Sequence, residues 1–143
     1  MVIRTYKNKD RDRVIDLWKQ CSLISPGNNP VKDIKRKSED SPDLFFVGES
    51  GNGIIATCMA GYDGHRGWIY YLAVKREHRK KGIGSKIIKH AEKALKAMGC
   101  PKIDLMVRKS NKNVISFYNK TGYKDDPVVV LSKRLINDDD NDC

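Results

Sequence analysis

Long apolar runs are missing from this 143-residue chain. No stretch approaches the roughly 18 apolar residues of a membrane-crossing helix, so no membrane partner is expected. The opening, Met1-Val-Ile-Arg4, enters a strand-like run with no apolar leader before it, and a cytoplasmic location is the expectation. Cysteine is sparse: Cys21, Cys58, Cys100 and Cys143 form no C-x-x-C pair, and His65, His78 and His90 show no metal-ligand spacing. A reduced compartment and no metal site follow, with Cys143 expected to be exposed and open to oxidation between molecules. Aromatics are 8% of the chain and are not interleaved among the basic residues. A nucleic-acid surface would need them there for base stacking, so nucleic acid is an unlikely partner.

Positive charge is abundant. The net charge is +10, although Asn137-Asp-Asp-Asp-Asn-Asp142 is acidic, so the body is more basic still and attracts anions. That charge concentrates in one informative run, Tyr71-Leu-Ala-Val-Lys-Arg-Glu-His-Arg-Lys-Lys-Gly-Ile-Gly-Ser85. It reads as an apolar strand, a basic loop, then a glycine-rich turn opening a long helix. The first N–H groups of a helix lack intrahelical partners and carry partial positive charge. Gly82 and Gly84 allow close approach of a ligand to the backbone, and Arg79, Lys80 and Lys81 add full charge. A pyrophosphate is the natural guest. The Walker spacing is absent, and Ile87 stands where a dinucleotide fingerprint needs its third glycine.

What remains, Arg79-x-x-Gly82-x-Gly84 after a strand, resembles the acetyl-coenzyme A signature of the GNAT N-acetyltransferase superfamily. Two further segments carry the same resemblance. One is the apolar strand ending in Leu72-Ala73-Val74. The other is Asn111-x-x-Val114-x-x-Phe117-Tyr118-x-x-x-Gly122-Tyr123, with Val114 where the family usually has Ala. With Gly61-Tyr-Asp-Gly-His-Arg-Gly67 before the strand, the pattern is most similar to the YpeA-like bacterial acetyltransferases. The resemblance implies acetyl-CoA as co-substrate and an amine acceptor. It also implies cofactor contacts from Leu72, Val74, Arg79, Lys80, Lys81, Gly82, Ile83, Gly84, Ser85 and Asn111, and a general-acid role for Tyr118. On residue chemistry alone, Tyr118 equally suits packing of its helix, and Asn111 suits a helix N-cap. Small metabolites and protein amines both remain open as acceptors. A non-catalytic CoA-binding sensor or interaction module is the alternative, and a homodimer is left open.

Helical and strand periodicities give the order β-α-α-β-β-β-α-β-α-β. The expected strands are Ile3–Tyr6, Leu44–Glu49, Ile54–Tyr62, Trp68–Val74, Lys102–Val107 and Val128–Leu135. The expected helices are Asp10–Cys21, Pro30–Ser38, Gly82–Met98 and Asn111–Thr121. Ser50–Gly53 and Asp63–Gly67 read as hairpin turns. This is a single α/β (α+β layered) domain over 1–136, followed by an acidic mobile tail over 137–143. The family arrangement it matches is a mixed, mostly antiparallel sheet with splayed parallel strands and helices on both faces.

The general base is not evident. The strand Trp68–Val74 contains no carboxylate, where many family members place a glutamate. Glu49 lies on a neighbouring hairpin. Asp63 and His65, in the turn before the strand, are candidates for a base or for substrate contacts; plain turn chemistry explains them as well. Tyr70 could line the cleft and orient a water. Trp18 suits a core position. Substrate selection is expected from Trp18–Lys35 and Tyr62–Arg66.

Overall fold

Alternation along the first long strand creates two apolar faces. Phe45 and Val47 point one way and Phe46 the other, and all three are buried. A strand buried on both sides must be covered by helices on both sides. The computed structural model describes residues 1–51 and 53–139 and has that layering. Its elements are β1 (Val2–Thr5), α1 (Arg11–Gln20), α2 (Pro30–Asp40), β2 (Phe45–Ser50), β3 (Gly53–Tyr62), β4 (Gly67–Val74), α3 (Ile83–Ala97), β5 (Ile103–Leu105) and α4 (Lys112–Lys120).

The sheet runs β1-β2-β3-β4-β5. Neighbours are antiparallel except β4 and β5, which are parallel. Tight turns make the antiparallel pairs β2–β3 and β3–β4, whereas a parallel pair needs a crossover, which α3 supplies. α1 and α2 cover one face through Val14, Leu17, Trp18 and Ile34, packed on Phe45, Val47 and Met59. α3 covers the other through Ile87, Ala91 and Leu95, packed on Phe46, Ile55 and Cys58. No helix among the described residues is long and apolar enough to cross a membrane.

Helix ends follow local chemistry. Asn29 accepts hydrogen bonds from the Val31 and Lys32 amides at 3.0 and 3.2 Å, and Pro30 occupies the first turn of α2. Asn111 caps α4 by accepting from the Val114 amide at 3.3 Å. Met98, placed by periodicity on the buried stripe of α3, caps the helix and is exposed instead.

The expected last strand is corrected. Residues 128–135 form no strand, and Val128, Val129, Val130 and Leu131 are all exposed. Alternation needs a partner strand to give it two faces, and β5 offers only three residues. The segment is drawn elsewhere by polar contacts. The Arg134 guanidinium donates to the Gly27 carbonyl at 2.8 Å and to Asn28 Oδ1 at 3.2 Å. Asp138 accepts both guanidinium donors of Arg36 at 2.7 and 2.8 Å. Asn137–Asp139 thus fold back onto α2 and the loop before it, while the rest of the acidic tail, including Cys143, lies outside the described residues.

β4 and β5 pair only over Gly67–Ile69 and Ile103–Leu105. Beyond Ile69, β4 runs on to Val74 with no strand partner on that side among the described residues. The parting is sharpened at Tyr71, a non-glycine residue at φ 51°, beside the register shift in the β3–β4 ladder. Such a bulge bends and twists its strand.

Candidate active site

The loop after β4 is a concave turn leading into the start of α3. Lys80 (φ 63°) and Gly82 (φ 78°) both take the left-handed conformation. Alternation of left- and right-handed residues turns successive N–H groups toward one concavity. Among the described residues, no backbone N–H from Lys80 to Ser85 donates to a protein acceptor. Six consecutive amides are therefore available, with the start of α3 behind them and the exposed side chains of Lys80 and Lys81 alongside.

The two glycines act differently. A Cβ at Gly82 would meet no atom within 4 Å, so its need is conformational. A Cβ at Gly84 would lie 3.1 Å from the Phe117 ring, so that glycine lets α4 close against the start of α3. Arg79 turns back: its Nε donates to the Val74 carbonyl at 2.9 Å and a terminal nitrogen reaches Cys21 Sγ at 3.4 Å. It staples the loop to the end of β4. Leu72 and Val74 lie on the unpaired stretch of that strand, in line with the turn.

Tyr118 is buried on α4, its ring edge-on to Phe117 and Tyr123 at 5.2 and 5.5 Å. Its hydroxyl has no hydrogen-bond partner among the described residues. Burial pushes its pKa above the ordinary tyrosine value, with a smaller contribution from nearby Cys58. The group is a neutral O–H donor throughout the physiological range, with its proton uncommitted.

A hollow of about 750 Å³ lies between α2, β3 and β4, walled by Tyr70 and Tyr71 of β4, Trp68, Asp63, and Arg36 and Lys37 of α2. Tyr71, one of its wall residues, is held by a relay that runs into the core. The Trp18 indole N–H donates to Thr57 Oγ1 at 2.9 Å, and the Thr57 hydroxyl donates to the Tyr71 carbonyl at 2.8 Å. Trp18 stacks on Tyr71 at 3.8 Å and is fully buried, as a core residue should be. The Tyr71 hydroxyl donates to Asp33 at 2.6 Å. Lys37 ties α2 to β3 by donating to the Ala60 carbonyl and to Ser41 Oγ, and burial lowers its pKa.

Asp63 lies on the hollow's wall, but its carboxylate is engaged. It accepts from the His65 and Arg66 amides at 2.8 and 2.7 Å and from the Trp68 indole at 3.3 Å. The Arg66 and His65 amides hold its pKa below the usual carboxylate range. His65 contributes its backbone N–H to that turn, and its side chain does not line the hollow. Glu49 sits on β2 opposite Val2, paired with Arg4 at 3.4 Å, two strands away from β4.

The sequence pattern of the family described as "Acetyltransferase (GNAT) family" matches residues 11–123. The chain belongs to the GNAT acetyltransferase family. It is 48% identical over 139 residues to an acetyltransferase of Sodalis glossinidius, covering 96% of this chain and 98% of that one. Its fold is similar to AAC(6')-Iy in complex with the bisubstrate analogue CoA-S-monomethyl-acetylneamine, at a TM-score of 0.76, 16% identity, and coverage of 93% of this chain and 97% of that one. It is also similar to Chaetomium thermophilum Naa20 with a bisubstrate analogue, at a TM-score of 0.70, 24% identity, and coverage of 87% and 71%.

Several residues of this GNAT acetyltransferase site escape sequence reading. Arg36 and Lys37 lie one and two residues beyond the segment expected to select substrate, in a helix whose charges look like a solvated face. The Tyr71–Asp33 bond and the Thr57 relay join residues 38 and 14 positions apart. Only tertiary packing of α2 and the β3–β4 pairing bring them together.

Proposed function

We propose that this acetyltransferase moves the acetyl group of acetyl-CoA onto a primary amine by direct attack, with both substrates bound together. The observation that carries the reading is the run of six unengaged amides, Lys80–Ser85, in line with the unpaired edge of β4. A pyrophosphate fits the amides and the two lysines, and an extended amide-bearing arm fits the strand edge at Leu72 and Val74, where backbone groups lack a partner strand. Asn111, committed to its helix cap, presents the remaining capacity of its side chain to the same arm.

The chain's own groups divide the chemistry. Attack requires a neutral amine, and about one ordinary lysine-type amine in a few thousand is neutral at pH 7. Asp63, held ionised by three donors, is suited to bind the acceptor as its ammonium form; that proton leaves to bulk water before attack, and the proton the nitrogen gives up as the amide forms replaces the one Tyr118 passes to the leaving sulfur. The departing sulfur needs a proton or a donor, and Tyr118 supplies an uncommitted O–H. Direct attack is favoured over a covalent intermediate on Cys58, the cysteine near Tyr118. Cys58 is buried and its pKa is pushed up to about 12 by desolvation, which leaves it an unreactive thiol.

Calorimetric titration with acetyl-CoA, with ATP and NAD as controls, tests the reading. Selective one-to-one binding of acetyl-CoA is expected. Folded protein that binds none would refute it.

A further inference from the structure

Arg36 is the one residue that lines both the acceptor hollow and a second, smaller hollow formed by Ser132–Ile136 and Asp138. Its guanidinium grips the Asp138 carboxylate with two parallel hydrogen bonds of 2.7 and 2.8 Å, the geometry by which arginine recognises carboxylates. Asp138 is nearly fully buried although it lies close to the end of the chain. The segment bearing it is held by only a few polar contacts: Arg134 to Gly27 and Asn28, and Asp139 accepting from the Gly27 amide at 2.8 Å. Its apolar side chains Leu131, Leu135 and Ile136 stay in solvent. Among the described residues these exposed side chains give the segment no packed hold on the core.

We propose that Arg36 is the carboxylate-recognition residue of the acceptor pocket, that Asp138 is its placeholder in the free protein, and that the acceptor is a primary amine bearing a carboxylate. This rests on the amine-acetylation reading above. The rest of the wall suits such a molecule. Asp63 offers a negative counterpart for the ammonium group, Trp68 and Tyr70 offer flat apolar faces, and Arg36 receives the acid. A strongly basic body draws acidic molecules toward it. Because Asp138 is tethered, it competes at an effective concentration in the millimolar range. An acceptor must therefore outcompete it, and weakening Asp138 should strengthen acceptor binding.

The test uses full-length wild type, Asp138→Asn and Arg36→Gln with matched amines that differ only in carrying a carboxylate or a carboxamide. They are presented as free amino acids and at the ends of short peptides, so the two arms separate a metabolite from a protein terminus. The readout is the ratio of kcat/KM for the carboxylate over the carboxamide. A ratio of about ten or more in the wild type is expected from one bidentate charge pair. It should rise several-fold in Asp138→Asn, mainly through KM, and collapse toward one in Arg36→Gln. A second readout needs no turnover: exchange of the Gly27 amide hydrogen should speed up when the carboxylate-bearing amine is added and not with its carboxamide. Turnover with equal ratios in all three proteins overturns the proposal and leaves acetyl transfer standing. No turnover of any amine, together with carboxylate-dependent release of the Gly27 amide, defeats amine acetylation and supports Arg36 as the recognition point. Exchange that is blind to the carboxylate overturns the proposal whether or not turnover occurs.

Discussion

Tyr118→Phe removes a single oxygen and isolates the proposed proton donor. The substitution keeps the ring and its edge contacts with Phe117 and Tyr123. It breaks no hydrogen bond, since the hydroxyl has no partner among the described residues. The stability cost is therefore expected within about 0.5 kcal/mol, the range of changes that disturb neither packing nor polar pairing. Catalysis should respond quite differently. General-acid assistance is worth about 10²–10⁴ in rate. A thiolate leaving group with a pKa near 8.5 needs less help than an alkoxide, and Tyr118, with its pKa raised by burial, is a weak acid. Both considerations favour the low end, a fall of about 10² in kcat.

Steady-state assays of released thiol across pH 6–10, with calorimetry for acetyl-CoA, separate the possibilities. Binding within about twofold of wild type and a large fall in kcat are expected. The raised pKa also fixes the shape of the profile. The hydroxyl keeps its proton up to and beyond its ordinary value near 10, so no alkaline limb from Tyr118 should appear below pH 10 in the wild type. Unchanged kcat in the phenylalanine variant would remove Tyr118 from the mechanism. A parallel loss of acetyl-CoA affinity would instead make it a binding residue.

Gly82→Ala places a Cβ at φ 78° in otherwise open space, so its cost is conformational, about 1–2 kcal/mol. Thermal unfolding should fall accordingly, and acetyl-CoA affinity should fall with it if the Lys80–Ser85 amides hold the pyrophosphate. Thr57→Val deletes the hydroxyl between the Trp18 indole and the Tyr71 carbonyl. Two buried groups lose their partners, a destabilisation of about 2–4 kcal/mol that Thr57→Ser should largely avoid in chemical denaturation. Asp10 is fully buried and accepts from both terminal nitrogens of Arg4 at 2.8 Å. Burial acts to raise its pKa, but the Arg4 guanidinium and the Lys7 amide outweigh that and bring it below the usual carboxylate range. Its stabilisation is therefore present above about pH 4 and is lost as pH falls through the depressed value. Asp10→Asn should cost about 3 kcal/mol at pH 7, and urea titrations should show the gap from wild type narrowing below pH 4.

Local chemistry made much of this architecture legible. Asn29 and Asn111 mark helix starts because a short polar side chain can take an amide hydrogen. The glycine-rich turn marks the proposed anion cradle because its left-handed residue needs no tertiary help. Periodicity failed where it needed a distant partner. Val128–Leu135 alternates as a strand should, yet it stays unpaired because β5 ends at Leu105 and polar contacts at Arg134 and Asp138 draw the chain toward α2. The bulge at Tyr71 was equally hidden, since a left-handed tyrosine has no local cause. Its cause is the relay through Thr57 and the stacked Trp18, which come from β3 and α1.

That relay links the core to the chemistry. A bulky residue held in the left-handed region costs about 1–3 kcal/mol and persists only where surrounding structure enforces it. Trp18, Thr57 and Asp33 grip Tyr71 at its ring, carbonyl and hydroxyl respectively. With all three points fixed, β4 bends where β5 stops. The bend does two things at once. It leaves the Tyr70–Val74 edge without a strand partner, open to an extended arm, and it turns Tyr70 and Tyr71 into the wall of the acceptor hollow. The proposed donor and acceptor surfaces would thus be two sides of a single distortion. A change that relaxes Tyr71 should therefore impair both substrates together, whereas one at Lys80–Ser85 or at Arg36 should impair only one.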